Sequence, residues 1–171
     1  PYEQLYTNTL HLLKLSNMPY RSADRVIGKY PLVVAGGHST FNPEPMADFI
    51  DAFVIGEGEE AMMEIAETVQ KWCRNANSNK HHKTEEVDRT DLYRELAAID
   101  GIYVPQFYHP TYHVDGTLKK VVSSDKAAQL PVLKRIVKEM PPPVTKFVVP
   151  FVDVVHNRAP IEIMRGCTRG C

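Results

Sequence analysis

The residue types best suited to chemistry lie in the last seven positions of the chain, Arg165-Gly166-Cys167-Thr168-Arg169-Gly170-Cys171. The two cysteines follow the apolar run Ile161-Glu162-Ile163-Met164 and are separated by three residues. A short loop with glycines lets both sulfur atoms face inward, and two such thiolates can bind neighbouring irons of one cluster. Half of a zinc site, completed by two further Cys or His ligands, and a pair of free thiols fit the same spacing.

A second candidate site is formed by two glycine-containing sequences, each of which follows an apolar run. Gly36-Gly37-His38-Ser39-Thr40 follows residues 30–35, and Gly56-Glu57-Gly58-Glu59 follows residues 52–55. In doubly wound α/β sheets, ligands bind at the carboxyl ends of the strands, and glycines allow a close approach to the backbone. The pattern is not G-x-G-x-x-G, so it does not predict a dinucleotide site. A tight strand-to-helix turn without a ligand explains the same residues.

The elements around these sequences predict an α/β fold. The spacing of apolar residues indicates helices over residues 2–16, 59–72 and 92–99. Continuous apolar runs at 31–36 and 52–56 are typical of adjacent buried parallel strands, and Asn42 with Pro43 predicts a short capped helix between them. Asp115-Gly116 predicts a hairpin turn between residues 111–113 and 118–122.

Composition excludes several classes of protein. The chain has 171 residues, a net charge of −1 and a pI of about 6.8, so no general attraction to nucleic acid or to an anionic membrane is expected. Its apolar runs fall well short of the ~20 residues that span a bilayer. Three cysteines form no disulfide framework and favour a cytoplasmic location, and Cys73 is expected to be a small buried residue of its helix.

The strings from Pro31 to Glu59 and from Ile161 to Cys171 resemble radical S-adenosylmethionine (radical SAM) proteins with an N-terminal cobalamin-binding-like domain, a family of uncharacterised substrate. The resemblance implies that the cysteine motif is C-x3-C-x2-C, with its third cysteine beyond Cys171, and that the chain is an internal fragment. It implies a 4Fe–4S cluster on Cys167 and Cys171, S-adenosylmethionine on the open iron, and cobalamin. The implied cobalamin groove is lined by Gly36, Gly37, His38, Ser39, Thr40 and Glu57. The string Asp-x-His-x-x-Gly, which supplies a cobalt ligand in many cobalamin domains, is absent from these residues.

The same resemblance implies the organisation of the chain. Residues 1–73 are the later part of a Rossmann-like, doubly wound domain, 74–91 a polar linker, 92–143 a β-rich connector, and 144–171 the first strand of a radical SAM barrel. The complete protein is expected to start radical chemistry on an unknown substrate, with an electron donor such as a flavodoxin or ferredoxin, and the fragment alone to be inactive. The alternative is a Rossmann-like module that binds a nucleotide or a partner and ends in a zinc-type cysteine pair.

Overall fold

The structure is a computed structural model, and it describes residues 3–25, 30–78, 89–155, 158–166 and 168–169. It divides into two compact units, Pro1–Val137 and Lys138–Cys171. Residues 92–137, which the sequence assigns to a connector, therefore belong to the same compact unit as residues 1–73. The predicted domain boundaries of the complete protein stay predictions.

The described residues of the first unit form three α-helices, and all three were predicted. Helix α1 spans Tyr6–Leu15, α2 spans Glu59–Ser78 and α3 spans Thr90–Ala97. Glu59 and Glu60 place negative charge at the start of α2, where the helix dipole favours it. Residues 74–78, the first of the predicted polar linker, continue α2, and residues 79–88 lie outside the described ranges. Helix α3 buries Leu92, Tyr93, Leu96 and Ala97.

The main sheet of the described residues has three strands in the order β1-β2-β3. Strand β1 (Val34–Ala35) pairs in parallel with β2 (Ala52–Val54), which confirms the predicted pairing of these two runs. Strand β3 (Ile102–Tyr103) pairs antiparallel with β2, so this sheet is mixed rather than purely parallel. Helices α2 and α3 both lie between β2 and β3 in the chain. A β-α-β unit has one crossover helix and makes its two strands parallel, whereas here the chain turns once more between the two helices and enters β3 in the direction opposite to β2.

A hairpin follows, as the Asp115-Gly116 pair predicts. Strand β4 (Tyr108–Tyr112) pairs antiparallel with β5 (Leu118–Ser123). The backbone N–H of His113 donates to the carbonyl oxygen of Thr117 at 2.8 Å, and Gly116 has a φ of 84°, a conformation that glycine adopts without strain. The hairpin is the second sheet of this unit.

Two local predictions are wrong. The helix expected from Asn42 onward is replaced by a single short 3₁₀ turn, Glu44–Met46, because only eight residues, 43–50, separate Asn42 from Asp51, the residue before β2. Another 3₁₀ turn, His38–Phe41, lies before Asn42. Cys73 is exposed on α2 rather than buried, since the apolar face of this helix is formed by residues such as Ala61 and Ile65.

The described residues of the second unit form no helix and no strand. Their apolar side chains are exposed, and Val148, Phe151 and Val155 are almost fully so. The barrel strand predicted at 161–164 is not formed by these residues. Cys167 and Cys171, the two predicted cluster ligands, lie outside the described residues.

Candidate functional site

The loop after β1 lies against the end of β2, as expected for two neighbouring parallel strands. The hydroxyl oxygen of Thr40 lies 2.6 Å from the carbonyl oxygen of Gly37 and 2.8 Å from that of Val54. Ser39 and Thr40 are buried, whereas Gly36, Gly37 and His38 are exposed. The structure therefore brings part of the first predicted loop to the carboxyl end of β2.

Glu57, the acidic residue of the second loop, contacts another segment of this chain. We call residues 135–137 the strap. The backbone N–H of Arg135 donates to the carbonyl oxygen of Ile55 at 2.8 Å, and the N–H of Glu57 donates to the carbonyl oxygen of Arg135 at 3.0 Å. The carboxylate of Glu57 accepts a hydrogen bond from the N–H of Val137. The strap thus forms hydrogen bonds with the backbone N–H and carbonyl groups that follow β2.

Two glycines leave room for the strap. A Cβ on Gly56 would lie 2.3 Å from the carbonyl oxygen of Arg135, and one on Gly101 would lie 2.9 Å from the Cβ of Arg135. Both glycines also have positive φ, 104° and 83°, a region that other residues rarely adopt. The sequence places Gly56 at the end of a strand and does not assign it to the ligand groove, and in the structure the group that approaches it is Arg135.

The side chain of Arg135 fastens the strap to helix α2. Its Nη2 atom lies 2.8 Å from the carboxylate of Glu60 and 2.5 Å from that of Glu64. The hydrogen bonds to Glu60 and then Glu64 raise the pKa of the Arg135 guanidinium above its usual value. Arg135 therefore makes backbone contacts with β2 and charged contacts with α2 at the same time.

A small cavity lies beside Ser39 and Thr40 of the first predicted loop. About 20 Å³ is enclosed among residues that include Ala35, Ser39, Thr40 and Phe53, and neither Gly36, Gly37 nor Glu57 lines it. The volume is close to that of one water molecule. A groove shared by Gly36, Gly37 and Glu57 stays a prediction.

A buried ionic network, which the sequence analysis missed, lies at the opposite end of β2. Nη2 of Arg25 lies 3.1 Å from Oδ1 of Asp51, and both side chains have 0% exposure. The same carboxylate accepts hydrogen bonds from the N–H of Val33 at 2.7 Å, from the hydroxyl of Tyr93 at 3.1 Å, and from Ser22. Arg25 also donates to three backbone carbonyls, those of Pro19, Tyr20 and Phe49.

A cavity of about 720 Å³ borders this network, with Arg25, Asp51, Arg89 and Tyr93 in its wall. Arg89 donates to the carbonyl oxygen of Tyr30 at 2.7 Å. Burial, followed by the negative charge of Asp51, raises the pKa of Tyr93 above its usual value. The sequence does not indicate this network, because an isolated Arg and an isolated Asp that are 26 positions apart are each typical of a solvated surface. The contacts are those of a structural network that joins the chain before β1 to β2 and α3.

Gly166 and the Glu162–Arg165 ion pair are described neighbours of the cysteine segment. Gly166, directly before Cys167, has a φ of 79°, and the guanidinium of Arg165 lies 2.7 and 2.9 Å from the carboxylate of Glu162. Across the described ranges, no group of three or more His, Cys, Asp and Glu side chains could hold a metal ion. Two thiols separated by three residues, after a glycine with positive φ, are a donor set that fits an iron–sulfur cluster.

Comparisons with known proteins identify the family of this chain. No helix within the described ranges has both the length and the apolar character to cross a membrane. No curated protein and no solved structure matches the chain. A family model described as "Radical SAM proteins, N-terminal" matches residues 1–105, which is more than half of the sequence. The chain therefore belongs to the radical SAM proteins, by a match to their N-terminal family.

Proposed function

We propose that the complete protein is a radical SAM enzyme in which Cys167 and Cys171 bind a 4Fe–4S cluster. The observation that carries the proposal is the presence, in one chain, of the matched N-terminal region and the later C-x3-C sequence. When bound, the cluster supplies one-electron cleavage of S-adenosylmethionine to a 5′-deoxyadenosyl radical, which abstracts hydrogen from a substrate. An electron donor such as a flavodoxin or ferredoxin and a cytoplasmic location are part of this proposal.

The protein residues at this site bind the iron and orient the loop that carries the two cysteines. The two thiols bind iron as thiolates, and the cationic side chains of Arg165 and Arg169 on either side of Cys167 favour that charge state. The ion pair between Glu162 and Arg165 holds one of these guanidinium groups at the start of the loop. Gly166 supplies the positive φ with which the chain turns into Cys167.

We also propose cobalamin as a ligand at the carboxyl ends of β1 and β2, bordered by Gly36, Gly37, His38, Ser39 and Thr40. The parallel pairing of the two strands and the contact of Thr40 with Val54 support this place, because doubly wound sheets bind ligands there. Glu57 belongs to the proposal only when the strap is displaced, since its carboxylate accepts a hydrogen bond from Val137. Radical-based methyl transfer is the reaction that cobalamin would add.

Anaerobic iron–sulfur reconstitution of the complete protein tests the main proposal. The wild type should gain visible cluster absorption and form 5′-deoxyadenosine from S-adenosylmethionine with a reductant. Cys167→Ala and Cys171→Ala should each lose both properties, because each removes one of the iron ligands. Cys73→Ala is the matched control, since Cys73 is a free, exposed thiol of α2, and it should retain both.

Metal analysis separates the alternatives. Tight zinc in place of iron, lost in Cys167→Ala, would favour the zinc-type cysteine pair and a binding module without radical chemistry. Retention of iron and of deoxyadenosine formation in Cys167→Ala would refute the assignment of this residue as a ligand. Cobalamin is tested separately by equilibrium titration, and absence of binding at physiological concentrations would remove it alone.

A further inference from the structure

We propose that the cavity beside Arg89 binds a small organic carboxylate, whose negative charge compensates that of the Arg89 guanidinium. The cavity has a volume of about 720 Å³ and is bordered by Asp51, the residue before β2. It therefore lies at the end of β2 opposite to the loops proposed for cobalamin, and none of the residues proposed for cobalamin lines it. The inference goes beyond the proposed function and does not rest on it.

Arg89 carries a buried positive charge that has no carboxylate partner. The residue is only 7% exposed. Its Nη2 atom donates to the neutral carbonyl oxygen of Tyr30 at 2.7 Å, whereas its Nη1 atom is buried without a hydrogen-bond partner. Among the described residues, no carboxylate forms an ion pair with this guanidinium. Tyr93 does not supply the missing charge, because burial raises the pKa of its phenol and keeps it neutral.

The neighbouring ionic network does not compensate Arg89. The carboxylate of Asp51 is engaged by Arg25 at 3.1 Å and has no exposed surface. The wall of the cavity thus holds two buried guanidinium groups and one buried carboxylate, an excess of one positive charge. An uncompensated buried charge is strongly unfavourable, so an anion bound beside Arg89 stabilises the folded protein.

Two further carboxylates line the cavity, and both have partners of their own. The carboxylate of Asp48 forms an ion pair with Arg21 at 2.8 Å. The carboxylate of Glu44 accepts a hydrogen bond from the hydroxyl of Tyr103. Neither group forms an ion pair with Arg89, so the excess charge remains within the described residues.

The amount of excess charge selects the class of anion. A carboxylate carries one negative charge, which matches the excess, whereas a phosphate group approaches two at neutral pH and would be repelled by the Asp51 carboxylate. The planar guanidinium also matches the geometry of a carboxylate.

The remaining wall fits the rest of such a molecule. Phe49, Ile50 and Pro105 supply apolar surface for an organic body, and the volume is that of an ordinary small-molecule site. Helix α3 begins at Thr90, which also lines the cavity, and the dipole of a helix favours negative charge at this end.

Isothermal titration calorimetry of the complete protein with sodium benzoate tests the proposal. Benzoate should bind at least about tenfold more tightly than benzamide, its neutral analogue, because only the charged group compensates Arg89. Acetate and hexanoate test a smaller and a longer carboxylate, and inorganic phosphate tests the other anion. If none of the three carboxylates binds better than benzamide, the proposal is wrong. Binding of phosphate in their place would overturn the assignment of a carboxylate.

Arg89→Met locates the site, because it removes the charge and keeps a side chain of similar length. The variant should bind benzoate at least about tenfold more weakly than the wild type. Arg94→Met is the matched control on the same helix, since Arg94 is half-exposed, pairs with Asp91 and Asp125 and does not line the cavity. It should bind benzoate as the wild type does, and unchanged binding by Arg89→Met would refute the site.

Urea unfolding without ligand distinguishes a binding cation from a structural one. Arg89→Met should shift the unfolding midpoint little, because the buried charge that it removes is unpaired. A loss as large as that of Asp51→Asn would show that the charge of Arg89 is already compensated within the fold, and would contradict the proposal. The comparison of benzoate with benzamide needs no variant, so it decides the question also where Arg89→Met fails to fold.

Discussion

The guanidinium of Arg25 and the carboxylate of Asp51 lie 3.1 Å apart, and neither side chain is exposed to solvent. Close by in sequence, Arg21 and Asp48 form a second pair at 2.8 Å, with side chains that are 60% and 65% exposed. The two pairs have the same chemistry and nearly the same separation. They differ in burial, which decides how much the loss of one partner changes stability.

Asp51→Asn should destabilise the protein by about 3 kcal/mol, because it leaves the charge of Arg25 buried without a counter-ion. It also replaces one of the two carboxylate oxygens, which together accept from Val33, Tyr93 and Ser22, by an NH₂ group, so the donors at that position lack an acceptor. Asp48→Asn should change stability by less than about 0.5 kcal/mol. Urea unfolding of the three proteins side by side measures both, and similar small losses for the two variants would contradict the structural role of the buried pair.

Three tyrosines should ionise late and make the fold sensitive to alkali. Burial, followed by the hydrogen bond to Glu44, raises the pKa of Tyr103 far above its ordinary value of 10.0, and burial raises the pKa of Tyr108 to about 12. Tyr93 is shifted in the same direction. The folded state thus favours the neutral phenol, so this contribution is fully present below pH 10 and is lost as pH rises through about 12.

Phenolate absorbance in the ultraviolet, followed with secondary structure during a pH titration, checks this prediction. The late-ionising groups should appear together with unfolding, and Tyr108→Phe should remove one group from that transition. Ionisation of all eight tyrosines near pH 10 with the fold intact would contradict the burial of the Tyr103–Tyr108 stack, whose ring centroids lie 4.2 Å apart.

Gly56→Ala should destabilise the first unit by about 2–4 kcal/mol, the sum of a steric clash and of strain at positive φ. The clash is with the backbone of Arg135, which cannot move aside as a flexible side chain would. Gly58→Ala is the control two residues away, where the nearest atom to a new Cβ is the Cγ of Met62 at 3.8 Å. Thermal unfolding of both variants measures the difference. Equal unfolding midpoints would show that the strap does not require the space at Gly56.

Thr40→Val should lower stability by about 1–2 kcal/mol, because it removes the hydroxyl that lies 2.6 Å from the carbonyl oxygen of Gly37 and 2.8 Å from the buried carbonyl oxygen of Val54. The exposed hydroxyl of Thr111, which lies 2.9 Å from the carbonyl oxygen of Lys120, gives the comparison. Water can replace that hydroxyl, so Thr111→Val should have an effect near zero. Urea unfolding that ranks the two variants in the opposite order would contradict the packing of the loop against β2.

The sequence predicted those parts of the fold that have a local signal. Continuous apolar runs indicated β1 and β2 in parallel, and Asp115-Gly116 indicated the β4–β5 hairpin. Strand β3 lies in the segment that the sequence predicted to be β-rich, but its antiparallel pairing with β2 was not predicted, since that pairing depends on how α2 and α3 pack. Propensity also favoured a capped helix after Asn42, where the structure has one 3₁₀ turn, Glu44–Met46, in the short segment before Asp51.

The candidate site, like the fold, was predicted only in part. Glycines at a strand end were identified, but the sequence does not tell whether a ligand or the chain itself approaches them, and at Gly56 it is Arg135, 79 positions later. The Arg25–Asp51 network was missed because charged residues are normally at the surface, and only the tertiary fold removes these two from water. The cysteine pair had the clearest chemical signal, and its geometry lies outside the described residues.

The exposed apolar run of the second unit, residues 147–155, has a consequence for aggregation. Phe147, Val148, Val149, Phe151, Val152, Val154 and Val155 all favour cross-β stacking, and uncovered segments of six or seven such residues are its usual source. Pro150 and Asp153 divide the run into pieces of three residues or fewer, because proline cannot donate to a ladder and aspartates in register repel each other. These two residues act as gatekeepers that keep the segment soluble while it is uncovered.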